Sequence, residues 1–446
     1  TTGTITTCSA AGAPIAACGT GAFTGTIALA TFTLTNTGTV VHDGGTITGS
    51  TGEIDGGVTT LSGAVPTATI TATGAGAWRF NGLTLNAGGT LTGSSSTITL
   101  DGAFNFSAGT FNFDTSTVVI AVTSTVTTPG VSNTAYFYNF TVNAAVTVTI
   151  SGHSRYNNTV TIDGTASVSS PLFNFFVYGS MTTGGATVDV DLAWATINSV
   201  PASTYDAFFL ASTFSASLAG NITLDGSFDD LAGNPAMGIQ NATLTTAGFT
   251  INATGNGLRL YSGSSIIVAG ASTVTFLGPV DISTNVTAAS CYLDLGSSSW
   301  TVTGAWTNAC TNVGWNAGTS TVLFNSNAGQ TMTFAGAGLG EAEFNNVTFN
   351  STAAVTYTMA TNGLRWLSTL SITDAATAVA LDTANLALGA AADTSDMSIG
   401  TNGTLTANAS TVIISTFSMT GGVSGVLTIT TGAWTVSGNW NSSGAG

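Results

Sequence analysis

Few residues of this 446-residue chain have side chains suited to chemistry. Three sets of oxygen donors lie close enough in sequence to share a cation: Asp189 with Asp191, Asp229-Asp230 with Asn234, and Asp393 with Asp396. Calcium takes about six to eight oxygens from carboxylates, amides and carbonyls, which turns between short strands can present. None of the three has EF-hand spacing or the Gly-Gly-x-Gly-x-Asp nonapeptide. Asp189-x-Asp191 sets two carboxylates on one strand face, whereas Asp229-Asp230-Leu-Ala-Gly-Asn-Pro reads as a loop. That loop, with Asp229, Asp230 and Asn234, is the calcium candidate; the competing reading is ordinary solvated turn acids. His42 and His153 are the only histidines, and each lacks an obvious partner in sequence. No Gly-x-Ser-x-Gly precedes a helical pattern. Acid–base and nucleophilic catalysis need clustered groups of these kinds, so the chain reads as a non-enzyme. A β-helical polysaccharide-active enzyme is the alternative, and it would require carboxylates brought together from distant positions.

The cysteines form two near pairs, Cys8 with Cys18 and Cys291 with Cys310. Three connectivities are open, and the two short local loops are the simplest. Zinc would want C-x₂₋₄-C spacing, which is absent, so disulfides in an oxidising compartment are expected. Lysine is missing altogether, which removes Lys–Asn isopeptide crosslinks. The four arginines are Arg79, Arg155, Arg259 and Arg365, and twenty acids leave a net charge of -16. Phosphate binding needs several cations on one face, so nucleic acid is excluded. Each arginine is expected to lay its stem over a neighbouring repeat and pair with one of the surplus acids. Among many Asn-x-Ser/Thr sequons, Asn139, Asn241 and Asn346 fall at one repeat position and are the glycosylation candidates. Duplication of a Thr-rich motif accounts for the coincidence equally well.

The elements that must position these residues are short strands. Only 5% of the chain is charged, yet 43% is hydrophobic and the mean hydropathy is +0.40, the opposite of a disordered composition. No apolar run approaches the roughly 18 residues of a membrane helix. Thr67–Ala72 and Val146–Ile150 alternate with period 2, and Asp-Gly turns recur at Asp43, Asp55, Asp101, Asp163 and Asp225. Self-similarity is stronger still. Phe-x-Asn-apolar-Thr-apolar-Asn occurs at 137–143 and 344–350, with weaker forms at 239–245 and 80–86. Asn-Gly-Leu-Arg occurs at 256–259 and 362–365; Arg155, Arg259 and Arg365 thus mark a super-repeat of about 105 residues. Ser-Thr-Val/Ile-x-apolar starts at Ser96, Ser116, Ser272, Ser320 and Ser410, and Trp-Thr-Val-x-Gly-x-Trp starts at Trp300 and Trp434. The tryptophan copies lie about 134 residues apart, so the two spacings differ by roughly one coil of a solenoid. A stack of coils absorbs an extra coil more easily than a sandwich of fixed strand number. The expected fold is therefore an all-β, parallel β-solenoid with variable coil length, and tandem β-sandwich domains are the alternative. Residues 61–446 read as one continuous solenoid. Residues 1–60 share the composition without the motifs and read as a disulfide-stapled cap or docking element.

The Phe-x-Asn motif followed by Val146-Thr-Val-Thr-Ile150, with the two Trp-Thr-Val motifs, resembles the repeats of secreted bacterial surface proteins of the haemagglutinin-like and autotransporter-passenger kind. That resemblance implies a β-helix and an extracellular or cell-surface location. The module opening at Trp434 stops short of its earlier copy, which suggests end-to-end assembly of copies into a fibre, filament or stalk. A glycan-binding adhesin is the rival. Thr-x-Thr runs raise ice binding, but unequal repeat spacing speaks against a regular threonine face.

Overall fold

The computed structural model describes residues 26–442 with interruptions, the longest being 227–234, 283–290, 335–342 and 382–395. Among the described residues every regular element is a strand, and the strand pairings are parallel. Sandwiches are built of antiparallel strands, so the parallel β-solenoid stands and the tandem sandwich falls. No described helix is long and apolar enough to cross a membrane.

The chain forms two compact units, Thr1–Ile197 and Asn198–Gly446. Nothing in the sequence motifs marks this division. Gly45–Asp55 pairs with both Ala68–Ala72 and Ala77–Phe80.

Within each unit, alternate residues of most strands turn inward and stack on their counterparts one coil away. In the first unit Trp78, Ile98, Val118, Phe140 and Val160 form one such row. In the second, Ile251, Val274, Trp300, Val322 and Val347 do the same. All ten are buried. Removing each such side chain from water contributes about 1.5–3 kcal/mol, which offsets the ordering of a glycine-rich backbone. Coil length varies while the rows stay straight. Thr97 pairs with Thr117, 20 residues on, whereas Phe208 pairs with Met237, 29 residues on.

The repeated motifs now have physical readings. In Phe137–Asn143 the buried residues are Phe137, Phe140 and Val142, so two inward side chains stand three apart and break the period of 2. The register shifts between Phe137 and Asn139, and the copy at Phe344 and Asn346 shifts identically. The motif is thus a strand carrying an irregularity that turns the chain from one side of the coil to the next. In Ser-Thr-Val/Ile the serine is buried at a three-residue turn, the threonine faces out and the third residue faces in. Ser96, Ser116, Ser272 and Ser320 each donate their backbone N–H to the carbonyl three residues back. In Asn256-Gly-Leu-Arg259, a Cβ on Gly257 would sit 1.6 Å from the Pro279 carbonyl oxygen, so only glycine lets the next coil approach. Leu258 then points inward and Arg259 outward.

The super-repeat is real in three dimensions. Phe137 pairs with Tyr156, Ile239 with Leu260 and Phe344 with Trp366. In each case the first residue of the Phe motif lies opposite the residue that follows the marker arginine.

Phe140→Ala is expected to destabilise the first unit by about 3–5 kcal/mol. Because coils touch only their neighbours, amide exchange should rise first in Thr117–Ile120 and Ser154–Ile162, and last in Thr26–Thr35. A uniform rise across the unit would contradict coil-by-coil stability.

Candidate interaction surface

The outward residues of the strands are the material for any surface site. On one side of the first unit, Gly45–Asp55, Ala68–Ala72, Gly89–Thr92 and Thr110–Asn112 lie side by side without a register shift in these pairings. Their outward positions make two rows. One is Thr46, Thr69, Thr90 and Thr110; the other is Thr48, Thr71, Thr92 and Asn112. Of the residues between them, Ile70, Leu91 and Phe111 are buried and Ile47 is half-buried. All eight row members are half-buried or exposed, as expected for side chains standing on a sheet. Asn112 donates to Thr92 Oγ1 at 3.4 Å, continuing the hydroxyl row as an amide. Strand spacing fixes the array at about 4.8 Å across strands and about 6.6 Å along them, and β-branching restricts each χ1.

On the next side the polar positions bond to one another. Asn139 Nδ2 donates to Thr117 Oγ1 at 3.1 Å, and its Oδ1 accepts from Asn158 Nδ2 at 2.8 Å and Thr159 Oγ1 at 2.7 Å. One amide thereby ties three consecutive coils. This is one of the glycosylation candidates, and its nitrogen is committed within a strand. Asn346 likewise sits mid-strand, half-buried, with Nδ2 directed at the Ser320 carbonyl at 3.4 Å. Asn241 lies outside the described residues.

Two of the four arginines, Arg79 and Arg259, meet an acid as expected, and Arg155 meets a ring. Arg79 makes a two-point ion pair with Asp101, with Nη2 to Oδ1 at 3.0 Å. Arg259 Nη2 meets Asp281 Oδ2 at 3.1 Å, and Arg155 lies 3.9 Å over the Tyr178 ring. All three reach the next coil. Arg365 has its backbone opposite Glu343. The Arg79 pair is exposed and contributes little to stability.

The second pair is half-buried, and this changes its chemistry. Loss of solvent pushes the Asp281 carboxyl above its ordinary value, and the Arg259 charge opposes that rise without cancelling it. Tyr261, 5.3 Å below the Arg259 guanidinium and edge-on to Phe209, is also raised by burial. His153 stands beside Phe176 in the first unit.

Several expected site residues are described only in part or not at all. Cys8, Cys18 and Cys310 lie outside the described residues, as does the Asp229, Asp230 and Asn234 calcium loop. Cys291 begins the strand Cys291–Asp294, whose neighbour is Val313–Asn316. Asp189 is exposed on the strand Thr187–Ala193, and Asp393 lies outside the described residues. The two-row threonine array is what sequence reasoning missed. Its triplets Thr46-Ile-Thr48, Thr69-Ile-Thr71 and Thr90-Leu-Thr92 were visible, but their unequal spacing hid the straight rows.

No protein-family model matches this chain, and neither a curated protein nor a solved structure does so.

A carboxyl held above its ordinary value weakens the fold at neutral pH, and that penalty is relieved as pH falls through the raised value. Arg259→Met removes the compensating charge. Asp281 should then titrate higher still, and the variant's stability deficit should be largest near neutrality and narrow in acid. Carboxyl-resolved NMR titration of both proteins checks the shift; an unchanged Asp281 midpoint would show that Arg259 does not hold it down.

Proposed function

We propose that this chain is a structural protein of the extracellular space or cell surface, working as a fibre subunit or stalk. The observation that carries the reading is where the polar side chains are used. Asn139 spans three coils, Asn316 Nδ2 donates to Asp294 Oδ1 at 3.0 Å, and Ser398 Oγ donates to Ser371 Oγ at 3.0 Å. Buried Ser272 donates to Thr246 on the preceding coil. These are bonds between coils, in line with the backbone ladder, and they resist separation of one coil from the next. The low charge suits close lateral packing, since neutral hydroxyl surfaces repel one another little. Copies of this chain joined end to end are the partners this reading implies. Cysteine pairing, where the chain meets an oxidising environment, would add covalent closure.

A second reading, an adhesin for glycans, is favoured by one feature. Tyr178 carries Arg155 stacked on its half-exposed ring, with His153 just before the strand that carries Arg155, a combination of flat aromatic and donor groups that suits a sugar.

Electron microscopy of the purified chain over a range of concentrations separates the readings. Uniform filaments that lengthen with concentration are expected. Isolated particles at every concentration, together with glycan-array binding abolished by Tyr178→Ala, would replace the fibre subunit with the adhesin.

A further inference from the structure

We infer that the two-row threonine face of the first unit is an ice-binding surface. Each threonine offers a methyl group, which orders adjacent water, and a hydroxyl, which both donates and accepts a hydrogen bond to it. Fixed to a parallel sheet, these groups repeat at about 4.8 Å in one direction and about 6.6 Å in the other. Both repeats are of the order of the oxygen spacings on faces of an ice crystal. A water layer held by such a net is already close to the arrangement that it must adopt to join the crystal, so little ordering remains when the two meet.

Three features of the fold favour that ligand over a soluble one. The face is two-dimensional and regular, with no register shift in its pairings, whereas a soluble ligand needs a concave site. It carries no charge; the nearest charged side chains that are described, Glu53, Arg79, Asp101 and Asp114, stand beyond these two rows, on other strands, in turns or further along the same strand. A fixed charge would hold its own hydration shell and spoil the lattice. Seven of its eight outward positions are threonine, and the eighth, Asn112, donates to Thr92 on the preceding coil. The unequal coil lengths that argued against a regular face are taken up outside these strands.

The test uses the full chain, with thermal hysteresis and inhibition of ice recrystallisation as readouts. Thr71→Tyr and Thr90→Tyr place a bulky ring in the middle of the face, and Thr90→Val keeps the shape while removing one hydroxyl. Thr273→Tyr, on an outward position of the second unit, is the control. Circular dichroism verifies that each variant retains its strand content. Hysteresis and recrystallisation inhibition are expected in the parent chain and in Thr273→Tyr. Both should fall to buffer level in the two face variants, and Thr90→Val should lie between. Absence of both activities in the parent would overturn the inference. So would activity unaffected by Thr71→Tyr, or lost equally in Thr273→Tyr.

Discussion

The structure depends on one constraint: each coil must present its backbone N–H and C=O groups in register to the next. Unpaired buried backbone groups cost free energy comparable to a lost hydrogen bond, so the strand segments cannot drift. The result is a division of labour along the chain. Strand positions are held to a period of 2, inward apolar and outward hydroxyl, while turns accept differences in length. The steps of 20 residues between Thr97 and Thr117 and of 29 between Phe208 and Met237 are both compatible with straight rows.

The same constraint explains where the unusual residues went. Stacking of like on like makes a charged residue awkward, because its counterparts one coil away would be charged too. Arginine survives where the adjacent coil offers an acid or a ring, as with Asp101, Asp281 and Tyr178. Glycine survives where coils come closest, as Gly257 does under Pro279. Large aromatic side chains instead gather inside, where Phe104, Phe106, Phe111 and Phe137 meet edge to face.

Much of this was legible in the sequence because a solenoid writes each rule many times. The Ser-Thr-Val/Ile signature translated directly into buried turn, outward and inward positions, and the arginine super-repeat marked equivalent coils. The Phe-x-Asn motif was recognised as a repeat, yet its inward pair three residues apart needed coordinates to be read as an irregular strand. Relations across coils were the least legible. Arg79 and Asp101 are 22 residues apart, and no local pattern joins them. The threonine rows were hidden for the same reason, since neighbours on the face come from four separate stretches of chain. The division near Ile197 left no compositional trace.

Trp300 and Trp306 are buried, whereas Trp440, in the second copy of their motif, is 50% exposed, with no described strand lying against its far side. The turns beside the ladders have a different consequence. Because length variation is confined there, they are natural attachment points for foreign segments. A peptide grafted into the turn of one coil and another into the next would stand about 4.8 Å apart, and skipping coils would raise that distance in equal steps. The fold is in effect a ruler on which the separation of two displayed groups could be chosen by counting turns.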